Sequence, residues 1–133
     1  MSVERINPAE LARPSGFSHA VAATGRMIFL AGQIGMDRQG QVAEGGVVPQ
    51  FEQALANLLT ALAAAGGHPA DLVSLTVYLT DVEDYQAHAK DIGAAWRRLA
   101  GTEYPAMAGV GVTRLWRPEA LVEIQGIAVV SAT

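Results

Sequence analysis

Apolar residues recur along this chain with two periods, and the change from one to the other marks out helices and strands. Between positions 50 and 65, Phe51, Ala54, Leu55, Leu58, Leu59 and Leu62 are spaced by three and four, which gathers them into one helical stripe. Gly66-Gly67 follows and supplies a left-handed stop. A second helix is predicted over about positions 84–100, with Tyr85, Ala89, Ile92, Trp96 and Leu99 on one face, Asp81 or Asp84 as its cap and Gly101 at its end. Positions 72–80 alternate instead. Val73, Leu75, Val77 and Leu79 point one way and Ser74, Thr76, Tyr78 and Thr80 the other, as in a strand. Ala20–Ala23 and Arg26–Ile34, separated by Thr24-Gly25, read as a hairpin with glycine in its turn. Positions 108–115 and 121–130 read as two further strands joined by a turn at Trp116-Arg117-Pro118-Glu119.

The order β, β, α, β, α, β, β predicts an α+β domain: a mixed sheet with both helices packed on one face. Two helices cover only one side of such a sheet. The last strand nevertheless carries apolar residues on both sides, with Val122, Ile124, Ala128 and Val130 on one and Leu121, Ile127 and Val129 among Glu123 and Gln125 on the other. The uncovered face calls for a partner, and a second copy of the chain is the simplest one.

Composition narrows the function. The 133 residues suit a single domain spanning 1–133, and the apolar share of 50% is that of a packed globule. The net charge is -4, and the nine Lys and Arg residues are scattered; Arg97-Arg98 and, later, Arg114 and Arg117 come nearest to a cluster. A nucleic-acid partner would call for a basic stripe, which this pattern lacks. There is no cysteine, which removes disulfides, thiolate nucleophiles and thiolate-bound zinc together. The N-terminus has no signal-peptide core and no apolar run approaches the ~20 residues of a membrane span, so a cytoplasmic protein without membrane contact is expected.

Candidate chemistry is sparse. His19, His68 and His88 show no metal-ligand spacing, so no metal is expected; His68 reads as a loop residue, His88 as solvent-facing, and His19 as the one histidine open to a site role. No serine lies in a nucleophile elbow. Gly109-Val110-Gly111 lacks the third glycine of a dinucleotide fingerprint, and no cofactor is expected. Glu123 stands out, because a carboxylate inside an apolar strand must be paired or face a cavity. An ion pair with Arg114 or Arg26 and a functional role are both open readings.

Five segments carry a resemblance: Ala31-Gly32-Gln33-Ile34, Gln53 to Asn57 with Leu58, Val77-Tyr78-Leu79-Thr80-Asp81, Tyr104-Pro105-Ala106, and Val122-Glu123-Ile124-Gln125-Gly126-Ile127-Ala128. In this order and spacing the chain resembles the Rid (reactive-intermediate deaminase, YjgF-like) family over about positions 14–130. The resemblance implies a chorismate-mutase-like fold and a homotrimer with small-molecule sites between subunits. It also implies hydrolysis of the enamines and imines that pyridoxal-phosphate enzymes release, giving a keto acid and ammonia. Site positions carry over one by one. Glu123 corresponds to the catalytic strand glutamate thought to help position water. Met107 stands where an arginine commonly grips the substrate carboxylate, Phe17 where a tyrosine is frequent, and Ala31 where a serine precedes the Gly32-Gln33 pair. Ala89 takes the place of an asparagine and Gly109 that of a cysteine. Each departure exchanges a polar group for an apolar or smaller one. The implied function is a Rid-like hydrolase acting on an imine or enamine without a tightly held carboxylate, with backbone N–H groups near Gly32 and Met107 holding the polar atom. The alternatives are a non-catalytic ligand-binding or protein-interacting trimer and, third, a ribonuclease or translation inhibitor, names that some relatives bear.

Overall fold

The computed structural model describes residues 3–131. Its centre is a four-stranded sheet in the order β3-β6-β4-β5, formed by β3 (Arg26–Ile34), β4 (Leu72–Leu79), β5 (Ala106–Gly111) and β6 (Val122–Val130). β6 runs antiparallel to both neighbours, while β5 is parallel to β4 and forms an edge of this sheet. The pairing is therefore mixed, as the element order predicts.

The alternating strands bury one face. Ile28 and Leu30 of β3, Leu75, Val77 and Leu79 of β4, and Val122, Ile124 and Ala128 of β6 join one core with Phe51, Leu55, Leu58 and Leu62 of helix α1 (Val47–Ala64). Ile92, Ala95 and Trp96 of a later helix complete it. Removing these side chains from water is the main force holding the layers together, at about 25 cal/mol per Å² of apolar surface.

Four elements differ from the sequence prediction, each for a physical reason. Helix α1 begins at Val47 rather than at residue 50, after Gly45 and Gly46 at φ 106° and 96°. Pro49 then falls in the first turn, where its missing N–H has no intrahelical partner to lose. The second predicted helix is two, α2 (Val82–Ala87) and α3 (Ala89–Ala100). The Asp81 side chain accepts from the Asp84 N–H at 3.0 Å and starts α2. His88 breaks the run at φ -106°, ψ 18°, and its ring Nδ1 lies 2.9 Å from the Asp84 carbonyl.

The predicted hairpin does not form. β2 (Ala20–Ala23) pairs with an N-terminal strand, β1 (Val3–Ile6), in a separate two-stranded sheet, while β3 pairs with β6. At Gly25 a Cβ would overlap the Val130 carbonyl, so the chain turns directly against the end of β6 and β3 is delivered to the long apolar strand. Finally, β5 starts two residues early and ends at Gly111, and Leu115 leaves the ladder to pack with Ile34 and Ala120 in a second small cluster.

The face of the sheet opposite the helices carries exposed apolar groups. Phe29 is 72% exposed and Met27 55%.

Candidate functional site

Glu123 pairs across β6 with Ile34 on one side and Tyr78 on the other, so these three share a row on the face away from the helices. Ile34 reaches that face through a β-bulge. The β3–β6 register shifts between Leu30 and Gln33, and the extra residue reverses which side chains point to the core. The bulge also brings the backbone of Gly32 against Glu123, where any Cβ would overlap the carboxylate. A side chain at this position would displace the free end of Glu123. Glu123 makes no ion pair or hydrogen bond through its carboxylate among the described residues. The two arginines considered as its partners are engaged elsewhere: Arg26 donates to the Ala65 carbonyl at 2.6 Å, and Arg114 to the carbonyls of Leu115 and Trp116. Glu123 and Gly32 line a cavity of about 550 Å³ with Met36, Trp116 and Arg117. Trp116 is 92% exposed. Arg117 is held by the Gly40 carbonyl at 3.2 Å and by Glu119 at 3.0 Å, and the carboxyl of Glu119 falls below its ordinary pKa through its own backbone N–H first and Arg117 next.

The other predicted residues gather elsewhere. Phe17, Met107 and Gly109 line a cavity of about 330 Å³ with Gly16 and Tyr85. Ala89 lines an adjoining cavity of similar size, which shares Gly16, Tyr85 and Met107 with the first. Phe17 is placed by its neighbours. Gly16 turns the chain at φ 78°, and buried Ser18 bonds the edge of β5, its N–H to the Pro105 carbonyl at 2.9 Å and its hydroxyl to the Tyr104 carbonyl at 2.7 Å. The ring of Phe17 meets that of His19 edge-on, and His19 Nε2 lies 2.7 Å from the Ala12 carbonyl. His19 thus clasps the N-terminal loop and lines neither cavity. His68 and His88 are exposed.

Tyr85 stood out in the sequence only as part of a helical stripe. It borders both cavities, packs edge-on to Phe51 at 6.1 Å, and its hydroxyl has no hydrogen-bond partner among the described residues. Burial raises its pKa to about 12, so the phenol stays a donor across the physiological range. Its signal in the sequence was a tyrosine in place of an aliphatic residue on an otherwise apolar stripe.

The two groups lie on opposite faces of the sheet. Met107 is in register with Leu75 and Gly109 with Val77, both core residues, whereas Glu123 is in register with Tyr78, whose side chain points the other way. Ala31 is exposed next to Gly32 in β3 and lines none of these cavities. None of these three cavities is lined by both groups. Among the described residues no set of three or more His, Cys, Asp or Glu side chains is grouped to hold a metal ion, and no helix is long and apolar enough to cross a membrane.

A mixed four-stranded sheet backed by helices, with glycine-lined carboxylate and aromatic cavities on its two sides, defines a small α+β domain of the chorismate-mutase-like kind. Comparison with known proteins narrows this class. The family model described as Endoribonuclease L-PSP matches residues 8–130. A RutC family protein of Pyrococcus horikoshii is 36% identical over 118 residues, covering 87% of this chain and 89% of its own. The 2-iminobutanoate/2-iminopropanoate deaminase of Capra hircus is 37% identical over 114 residues, covering 85% and 79%. Among solved structures, the Rid family protein YyfB of Yersinia pestis, described as of unknown function, superposes with a TM-score of 0.85 at 36% identity over 98% of this chain and all of its own. E. coli TdcF, solved with bound serine, superposes at 0.71 with 27% identity, over 96% of this chain and all of its own. The chain belongs to the Rid (YjgF, L-PSP, RutC) family.

Proposed function

We propose that the chain is a Rid-type hydrolase whose complete site forms between subunits of a homotrimer, and that its substrate is an imine or enamine with no carboxylate beside the reacting carbon. The observation that carries this reading is the division of the candidate residues: Glu123 and Gly32 line a cavity on one face, Phe17, Met107, Gly109 and Ala89 line cavities on the other. One copy closes both halves around a ligand only when the open face of one chain meets the β5 edge of the next. Exposed Phe29, Met27 and Trp116 supply apolar surface for that contact.

In the assembled site Glu123 orients a water and accepts its proton as the water oxygen adds to the C=N carbon. The nitrogen is protonated, the C–N bond of the carbinolamine breaks, and ammonia leaves a carbonyl product. Tyr85 and backbone N–H groups at Gly32 and Met107 hold the polar atoms. Met107 presents a thioether where a guanidinium would grip a carboxylate, which withholds a charge-assisted hydrogen bond worth about 1.5–3 kcal/mol. Relatives named as 2-iminobutanoate/2-iminopropanoate deaminases support the reaction class. The family model's name points to RNA, but a net charge of -4 with dispersed basic residues opposes a polyanionic substrate.

The test is single-turnover ammonia release from freshly generated 2-iminopropanoate and from a carboxylate-free ketimine. The reading expects turnover of the ketimine that disappears in Glu123→Gln, and poor turnover of the imino acid. A protein that binds the ketimine without hydrolysing it would be a ligand-binding trimer instead.

A further inference from the structure

The cavity bordered by Ala89 has features that imine hydrolysis does not use. Tyr85 and Tyr104 line it over the buried rings of Phe51 and Trp96, which are 1% and 5% exposed, with Met107 at the side shared with the Phe17 cavity. The Trp96 and Tyr104 rings stack at 6.2 Å. Helix α3 leaves room for a ligand, because Ala89 and Gly93 present almost no side chain toward it. Glycine inside a helix costs roughly 1 kcal/mol relative to alanine. Here a Cβ on Gly93 would meet the Arg97 guanidinium at 3.3 Å, which places that group directly beside Gly93.

Arg97 itself is unusual among the arginines. Arg5 is bonded to the Ala70 carbonyl and Glu103, Arg26 to the Ala65 carbonyl, and Arg98 to Glu52. Arg114 and Arg117 are held by carbonyls and, for Arg117, by Glu119. Arg97 has no acceptor among the described residues, is exposed, and lines the aromatic cavity. Arg13 and Arg38, also without one, border none of the cavities described above. A guanidinium at the solvent edge of an aromatic pocket matches an anion carried on an apolar body.

We propose that this cavity binds the body of a small aromatic carboxylate, its ring against Tyr104 and the small Ala89–Gly93 side of α3, its carboxylate at Arg97, and a polar atom near Met107 at the Tyr85 hydroxyl. The volume of about 330 Å³ suits one ring with a short chain. This deepens the proposed function and rests on it for the nature of the reacting end: the substrate carries its carboxylate far from the reacting carbon, held by Arg97, instead of beside it, where Met107 stands.

Unreactive probes separate the two ideas, because they report binding whether or not hydrolysis occurs. Calorimetry on the wild-type protein would use 4-oxo-4-phenylbutanoate, its amide, and 4-phenylbutanoate. The acid is expected to bind about fivefold more tightly than the amide, the modest gain of an exposed charge pair. Arg97→Gln should erase that preference. Tyr85→Phe should weaken the oxo acid several-fold and leave 4-phenylbutanoate unchanged. Equal affinity for acid and amide, or a preference that survives in Arg97→Gln, would overturn the carboxylate site; equal loss of both acids in Tyr85→Phe would overturn the role given to Tyr85. Circular dichroism of each variant checks that the fold is retained. If these probes bind as expected while no imine is hydrolysed, the aromatic site stands and the hydrolase reading falls.

Discussion

In the proposed site, Met107 holds the position on which carboxylate binding turns. It is half-buried in the aromatic half of the site, on the edge strand, where its thioether offers apolar contact and no charge. Met107→Arg should bind carboxylates such as benzoate at least tenfold more tightly than wild type in calorimetry, the gain of one charge-assisted pair at 1.4 kcal/mol per decade. The guanidinium also needs a partner to offset its desolvation. Glu123 of a neighbouring copy is the candidate, so removing Glu123 as well should destabilise the assembly more than either change alone. Unchanged benzoate affinity would mean that the pocket around residue 107 has been rebuilt.

Tyr85 gives a second test at this scale, through pH. Its phenol ionises near 10 when unfolded and near 12 when folded, so the folded protein holds the proton more tightly. The resulting stability is fully present below pH 10 and is lost as the pH rises from 10 toward 12. Chemical denaturation at pH 9 and pH 11 should show wild type losing on the order of 1 kcal/mol more than Tyr85→Phe. An equal loss in the two proteins would contradict burial of this hydroxyl in the folded state.

Among the elements, the loop between β5 and β6 depends on one buried amide. Gln50, 4% exposed on α1, donates from Nε2 to the Glu119 carbonyl at 3.1 Å and accepts from the Leu121 N–H at 2.7 Å. It fixes the start of β6 and therefore the height of Glu123 in the sheet. Gln50→Leu fills the space but leaves two backbone groups unpaired, and should cost about 2–4 kcal/mol in urea denaturation. A loss under 1 kcal/mol would mean that the loop finds other partners.

These long-range ties are also what the sequence hid. The stripes of α1 and α3 and the alternation of β4 were legible because each is a local period, and the resemblance assigned Glu123 and Gly32, with Met107 and the rest, to one intersubunit site. The pairing of β2 with β1, the bulge that turns Ile34 toward Glu123, and the grip of Gln50 on residues 119 and 121 depend on contacts between distant segments. No local pattern announces them. For the same reason Tyr85 read as core: its apolar neighbours in sequence conceal that its hydroxyl reaches a cavity built by residues 16 and 107.

At the scale of the whole molecule, everything turns on whether the two half-sites meet between copies. Within one chain Phe17 and Trp116 border separate cavities on opposite faces of a single sheet. The absence of cysteine in the chain makes this testable without background. Phe17→Cys and Trp116→Cys single variants would be co-expressed and treated with a short bis-maleimide. The account predicts covalent dimers joining one chain of each kind, no dimers when either variant is treated alone, and a native mass near three times the 13.9 kDa chain by light scattering. A monomer that yields no mixed cross-link, or a doubly substituted chain that links only to itself, would contradict a site shared between subunits.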